Sequence, residues 1–337
     1  MKTIRSMLST VLVMSLTVVL LLTFSPPAVA EPIEMKFAHY VDEAHPAHLA
    51  AKQFAANVEK RTNGQVKIII YPASALGSPP EECEQVKLGA IDMNLPTQGQ
   101  FEKYVRACMS AQIPFIFDSY EMAHKVLDGP AFDWLAKIAE KEGFILLSNW
   151  EWGFRDITNN KRPIFKPEDV KGLKIRVPPE MHLQATMESL GAVVTKIAFP
   201  EVYMALAQNV VDGQENPLSA IYSQKFYEVQ KYLALTHHTY SCMMHVVNPK
   251  KWAKLTPEQQ KIVREESKAA GQFMRQTVAD EEKDIIAKME KAGIKVSHPD
   301  IPAFREAVKP AVEKITKYTG EKNVETFMKF VEEAKKK

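Results

Sequence analysis

The sequence predicts an α/β protein of two lobes, with parallel or mixed sheets flanked by helices and one long helix lying along both lobes. Three observations predict it. Residues 34–95 and 173–214 each run strand, helix, strand, helix, strand, the alternation that builds parallel sheets covered by helices. An apolar helical stripe beyond residue 256 is too long for a single lobe. Once an N-terminal leader of 30 residues is set aside from 337, 307 remain, enough for two proper cores.

The leader comes first. Lys2 and Arg5 give a positive start, residues 8–24 are almost wholly apolar, and Ala28-Val29-Ala30 supplies the small residues of a signal-peptidase site. A run of this length sits at the short limit for a membrane span, so export with cleavage after Ala30 is expected rather than a permanent anchor. No cysteine lies near the cleavage point, which speaks for a freely diffusing periplasmic protein over a lipoprotein. Removing the leader takes Lys2 and Arg5 from 43 basic residues and none from 41 acidic ones, leaving 41 of each. That balance excludes the clustered basic footprint of a nucleic-acid binder, and 46% apolar content excludes disorder. The three cysteines, Cys83, Cys108 and Cys242, match no metal or redox spacing. They read as small buried hydrophobes, with one Cys83–Cys108 bridge as an option.

In the first stretch the elements are strand 34–40, helix 46–62, strand 66–71, helix 81–88 and strand 91–95. Leu49, Phe54 and Val58 recur at helical spacing and Asn63-Gly64 supplies the stop. In the second they are strand 173–177, helix 180–190, strand 193–197, helix 200–208 and strand 210–214. The likeness between the stretches is architectural, without a sequence repeat. From Thr256 the signals of a helix start are stacked: an N-cap, Pro257 at the first position and Gln259 closing a capping box. Ile262, Val263, Ala270, Phe273, Met274, Val278, Ile285 and Met289 then carry the stripe until Gly293. A helix over 257–292 would be about 54 Å long. Either it is one strut along both lobes or it breaks near Gly271. Lys335-Lys336-Lys337 reads as a solvated tail. We assign 1–30 to the leader, 31–153 with 241–275 to the first lobe, and 154–240 with 276–337 to the second.

Ligands of open parallel α/β sheets bind outside the carboxyl ends of the strands. There the first lobe presents His39 and Tyr40, then Ser74 and Ser78 in the loop 72–80, then Thr97, Gln98 and Gln100. The second presents Arg176, Phe199, Glu215 and Asn216, while Trp150, Trp152 and Arg155 follow a strand-like run at 144–149. Arg176 is the leading candidate, because its guanidinium is a rigid fork of donors that matches a carboxylate or sulfonate. The competing assignment pairs Arg176 with Glu180 or Glu188, and Arg155 with Asp156 or Asp169. Glu215 is better placed to orient Arg155 than to act as an acid or base.

Several phrases then share one resemblance. They are Tyr71-Pro72-Ala73-Ser74-Ala75-Leu76-Gly77, Gly153-Phe154-Arg155 with Thr158-Asn159-Asn160, Asp169-Val170-Lys171-Gly172-Leu173-Lys174-Ile175-Arg176-Val177-Pro178, Ala198-Phe199-Pro200-Glu201-Val202-Tyr203, and Val211-Asp212-Gly213-Gln214-Glu215-Asn216-Pro217 through Phe226-Tyr227-Glu228-Val229-Gln230-Lys231. In this order, over nearly the whole mature chain, they resemble the substrate-binding subunits of tripartite ATP-independent periplasmic (TRAP) transporters, the DctP family. The resemblance implies a type II-like periplasmic-binding-protein fold that closes over a small organic anion and hands it to membrane subunits driven by a sodium gradient. It implies that Arg176 clamps the ligand's carboxylate, that Arg155 and Asn216 line the pocket, that Phe199 packs on the ligand, and that the long helix bridges the lobes. A monomer without cofactor is expected.

The chain departs from sialic-acid-binding members of the family at Tyr40, Ser78, Thr97 and Pro179, which argues against a polyhydroxy sugar tail. Trp150, Trp152 and Tyr40 suggest a smaller or more apolar acid, ranked as small carboxylates or hydroxyacids, then sulfonates, then aromatic acids. Two rival classes have weaker support. A metal reading starts from His39, His45 and His48, with His237-His238 behind them. An enzyme reading finds no Gly-x-Ser-x-Gly elbow, phosphate loop or dinucleotide fingerprint.

Overall fold

The computed structural model describes residues 31–336; the leader lies outside them. Ten strands form a continuous sheet system: β1 (Ile33–Ala38), β2 (Val66–Tyr71), β3 (Met93–Asn94), β4 (Ile145–Asn159), β5 (Lys174–Val177), β6 (Val193–Lys196), β7 (Gly213–Pro217), β8 (Tyr232–Ala234), β9 (Tyr240–Val247) and β10 (Lys295–Ser297). The order is β2-β1-β3-β9-β4-β7-β5-β6, with β8 and β10 carried off β4. In the first lobe β1 runs parallel to β2 and β3. In the second, β5 runs parallel to β6 and β7. These are the two strand-helix stretches of the sequence, and β4 and β9 add antiparallel members, so each lobe's sheet is mixed.

β4 joins the lobes. Its first part, through Phe154, pairs with β9, and from Arg155 to Asn159 it pairs with β7 and β8. A register shift between Glu151 and Gly153 marks the passage. There Gly153 takes φ +113°, a conformation that disfavours any side chain, and a Cβ would press on the Tyr120 hydroxyl at 3.2 Å. The sequence suggested a strand only over 144–149. The strand continues to Asn159, and its Glu151, Arg155 and Asp156 are all buried.

The helix Pro257–Lys291 is unbroken and, at 1.5 Å per residue, about 52 Å long. Thr256 Oγ1 accepts from the Gln259 amide, and Gln259 Oε1 accepts from the Thr256 amide, the reciprocal capping its sequence announced. It lies against the helix Pro46–Arg61 of the first lobe, against β4, and against the helix Leu218–Ser223 of the second. Gly271 does not break it. A Cβ there would stand 2.7 Å from the Asn149 carbonyl oxygen, so the glycine lets the strut touch the β4 backbone.

The cores carry two corrections. Leu49 and Phe273, expected inside, are each 39% exposed. Val210, taken as the start of a strand, is exposed, and β7 is instead the polar but fully buried Gly213–Pro217. The last helix, Glu321–Lys335, sends Phe327, Val331 and Ala334 into the cluster that holds Phe101, Phe117 and Phe144. Cys83, Cys108 and Cys242 are all free and buried, so no Cys83–Cys108 bridge forms. Burial pushes the Cys83 thiol up to about 12.

Candidate functional site

A cavity of about 570 Å³ opens between the lobes. Eight of the twelve residues singled out from the sequence line it: Tyr40, Ser78, Thr97 and Trp152 from the first lobe, and Arg155, Arg176, Phe199 and Asn216 from the second. Strand ends deliver most of them, as the topology requires. Tyr40 follows β1 and Thr97 follows β3, while Arg176 sits at the end of β5 and Asn216 in β7.

Arg176 is wholly buried. Its Nε and Nη2 both donate to the Ile197 carbonyl oxygen, at 2.9 and 2.6 Å, which fixes the plane of the guanidinium. Nη1 is buried with no hydrogen-bond partner. No ion pair joins Arg176 to Glu180 or Glu188 among the described residues. Burial lowers its pKa to about 10, offset in part by Glu215, so it stays charged at neutral pH. A buried cation with an unsatisfied donor, in a residue that lines a cavity, is a site for an anion.

Arg155 differs. Its Nε and Nη2 form a fork on the Glu215 carboxylate, at 2.5 and 2.8 Å, and Nη2 also reaches Asn216 Oδ1 at 3.1 Å. Neither Asp156 nor Asp169 pairs with it. Burial alone would raise the Glu215 carboxyl, but Arg155 and His238 hold it down at about 2. Glu215 therefore stands behind Arg155 as its counter-ion and does not line the cavity. Asn216 is oriented from both sides, donating to Gln214 Oε1 at 2.6 Å.

Tyr40, Trp152 and Phe199 make an aromatic wall. Their ring centroids lie 5.2–6.1 Å apart and the rings meet edge to face, the geometry that ring quadrupoles favour. Tyr40 Oη and Trp152 Nε1 are buried without partners. Ser78 stands at the mouth, its amide and hydroxyl both donating to Glu81 Oε2 at 2.7 Å.

Three predicted residues lie elsewhere. His39 faces away and shares a hydrogen bond of 3.1 Å with His48 Nδ1. Gln98 is spent in the core, donating to Cys242 Sγ and accepting from the Cys242 amide. Trp150 donates to the Ser267 carbonyl under the long helix. The histidines are dispersed: His45 stacks on Trp152, His237 faces Asp156 and His238 faces Thr236 and Glu215. Among the described residues no three or more His, Cys, Asp or Glu are grouped to hold a metal.

Four acids line the cavity, Glu81, Glu84, Glu102 and Glu180, and none was among the predicted site residues, Glu180 having been considered only as a partner of Arg176. Burial raises Glu180 to about 8, against the pull of Arg155, and raises Glu102 to about 7. Glu180 directly follows Pro178-Pro179 at the end of β5, and that position beyond a strand was the available signal.

Two α/β lobes bridged by a strut, enclosing a cavity lined by a buried guanidinium that keeps one donor unpartnered, define a solute-binding protein. The chain belongs to the DctP family, described as bacterial extracellular solute-binding protein, family 7, whose model matches residues 37–318. It is 36% identical over 275 residues, 81% of this chain and 84% of the other, to the 2,3-diketo-L-gulonate-binding periplasmic protein YiaO of Escherichia coli. It is 34% identical over 308 residues, 90% and 92% of the two chains, to the C4-dicarboxylate-binding periplasmic protein DctP of Rhodobacter capsulatus. A TRAP periplasmic solute-binding protein from Polaromonas, solved with bound D-erythronate, superposes with a TM-score of 0.84 at 35% identity, covering 87% of this chain and 97% of that one. No described helix is long and apolar enough to cross a membrane.

Proposed function

We propose that this chain is the periplasmic, non-enzymatic solute receptor of a TRAP transporter. It binds a small organic acid between its lobes and delivers it, as a monomer, to the transporter's membrane subunits. The leader ending at Ala30 is its export signal. The acid's carboxylate docks on Arg176 Nη1, with Arg155 and Asn216 beside it and the rings of Tyr40, Trp152 and Phe199 covering its carbon skeleton.

The observation that carries this reading is the division of labour between the two arginines. Arg155 is neutralised by Glu215, whereas Arg176 is held in place by a carbonyl and keeps one donor free. A guanidinium removed from water without a counter-ion is costly, and an entering anion supplies the missing partner. Closing the lobes then excludes water and strengthens each charged contact. Family membership and relatives named for binding organic acids support the same conclusion.

The test is a thermal-shift screen of organic acids on the mature chain, followed by calorimetry of the hits on wild type and Arg176→Ala. A true ligand raises the melting temperature of the wild type, because it binds only the folded form. Arg176→Ala is expected to keep its melting temperature and lose the shift. Undiminished affinity in that variant would move the anion site elsewhere, and turnover of a bound acid would make the protein an enzyme.

A further inference from the structure

We infer that the cavity takes its anion together with protons held on Glu102 and Glu180, and that this pair of carboxyls selects monocarboxylates over dicarboxylates. The inference rests on the organic-acid reading above and deepens it.

The charges of the buried interior decide the matter. Arg155 and Glu215 cancel as an ion pair, which leaves Arg176 as the remaining buried cation of the cavity lining, with buried Glu180 and half-buried Glu102 as its acids. Both acids line the same cavity. Glu180 is 3% exposed; Thr97 Oγ1 stands 3.5 Å from its Oε1, and Gly99 is packed so closely that a Cβ would fall 1.8 Å from Oε2. Glu102 Oε2 is buried without a hydrogen-bond partner. With both acids ionised the interior would carry a net −1, and a ligand carboxylate would make it −2 out of water, an arrangement low-dielectric surroundings penalise heavily. With both protonated the interior carries +1, and one ligand carboxylate brings it to zero. A dicarboxylate would leave its second charge without a cation. The protonated acids would instead offer O–H donors and carbonyl acceptors, which suit ligand hydroxyls.

The surrounding groups leave this sign unchanged. Around Glu180 stand Arg155, Arg176, Glu215, Glu102 and Tyr40, and His182 at 3.9 Å. Burial keeps His182 neutral, down at about 3. Cys83 and Glu82 lie behind, and burial raises them to about 12 and about 8. Around Glu102 stand Lys196, Arg106, Tyr318 and the Met181 amide. The cations there lower Glu102 but leave burial dominant. At the mouth, Lys103 and Glu84 pair with each other. Because both acids are raised, to about 7 and about 8, the proton-loaded cavity prevails below pH 7 and is lost as pH rises through 7 to 8 and beyond.

The test uses a matched pair of four-carbon acids, D-erythronate and tartrate, which differ in one terminal group: a hydroxymethyl in the first, a carboxylate in the second. Calorimetry of the wild-type mature chain from pH 6 to pH 9, in buffers of differing ionisation enthalpy, reads affinity and proton uptake together. Erythronate affinity is expected to fall by at least about tenfold between pH 7 and pH 9, since each carboxyl that must keep its proton costs about tenfold per pH unit above its pKa. Binding at pH 8 should take up protons, and tartrate should bind at least about tenfold more weakly at pH 7. In E102Q/E180Q, which cannot ionise, the pH dependence should vanish. Affinity for erythronate that is flat with pH, without proton uptake, overturns the inference while leaving the organic-acid reading standing, and so does tartrate binding as tightly as erythronate. If neither acid nor any acid of the wider screen binds at any pH, the organic-acid reading falls and takes the inference with it.

Discussion

Arg155 reaches diagonally across the β4–β7 ladder to Glu215, closing a two-point ion pair in which Glu215 is fully buried and Arg155 nearly so. This contact ties the strand that crosses between the lobes to the strand that carries Asn216. Removing one member of such a pair strands the other charge in the interior, which costs about 3–5 kcal/mol.

Glu215→Gln should therefore lower unfolding free energy by about that amount in a denaturant titration. The pH profile gives a second reading. Glu215 is depressed to about 2 by Arg155 and His238, which outweigh its burial. Its contribution to stability is thus present above the ordinary carboxylate range and lost as pH falls through 2. Wild type should lose stability along that acid limb, and the variant, already without the pair, should lose less. Equal slopes would mean the pair is silent in stability.

Gly99 of the first lobe packs against Glu180 so tightly that a methyl there would fall 1.8 Å from its Oε2 and 2.6 Å from His182 Cε1. Because the obstacle arises only where the two lobes meet, Gly99→Ala should weaken ligand affinity by tenfold or more while leaving the melting temperature of the unliganded chain near wild type. Small-angle scattering with saturating ligand should report a more open molecule. Unchanged affinity would show that the bound form does not bring these segments together.

Much of this architecture was legible because it follows from periodicity. The helix Pro46–Arg61 and strand β2 fall almost residue for residue where apolar spacing and the Asn63-Gly64 stop put them. The failures share one cause. β7 reads Gly-Gln-Glu-Asn-Pro and the middle of β4 holds Glu151, Arg155 and Asp156, residues that local patterns assign to surface loops. Distant segments supply their partners, as His124 does for Glu151 and the His237 amide for Asp156, and such partners cannot be seen along the chain. The same limit hid Glu102 and Glu180, whose importance comes from the cavity they share. Gln98 and Trp150 erred in the opposite direction: both stand near strand ends, but their polar atoms are consumed by Cys242 and Ser267.

Whether the long helix runs unbroken could not be settled by propensity, which disfavours glycine by about 1 kcal/mol. Contact with β4 settles it, and that yields a prediction of unusual sign. On propensity alone Gly271→Ala should stabilise. The new methyl, however, would meet the Asn149 carbonyl oxygen at 2.7 Å and Trp150 Cδ1 at 3.1 Å, and neither a strand backbone nor a buried indole can yield cheaply. We expect net destabilisation of about 1–3 kcal/mol by chemical denaturation; a stabilised variant would mean that helix and strand are less tightly joined.

Arg176→Lys separates charge from geometry. Lysine keeps the cation, so a site that needed only a positive charge would tolerate it. The arginine does two things at once: Nε and Nη2 hold the Ile197 carbonyl, and Nη1 is left without a partner in a residue that lines the cavity. A lysine ammonium is a point charge on a flexible stem and lacks the planar fork that holds the carbonyl on one side and presents a donor on the other. If it turns to the ligand, the Ile197 carbonyl loses its donors; if it stays with the carbonyl, the anion loses a charge-assisted hydrogen bond of about 1.5–3 kcal/mol. Either way affinity should fall by roughly 10- to 100-fold, short of the complete loss expected for Arg176→Ala, with the melting temperature of the unliganded protein little changed. Calorimetry on the two variants side by side decides it, and a lysine variant that binds as tightly as wild type would reduce the role of Arg176 to charge alone.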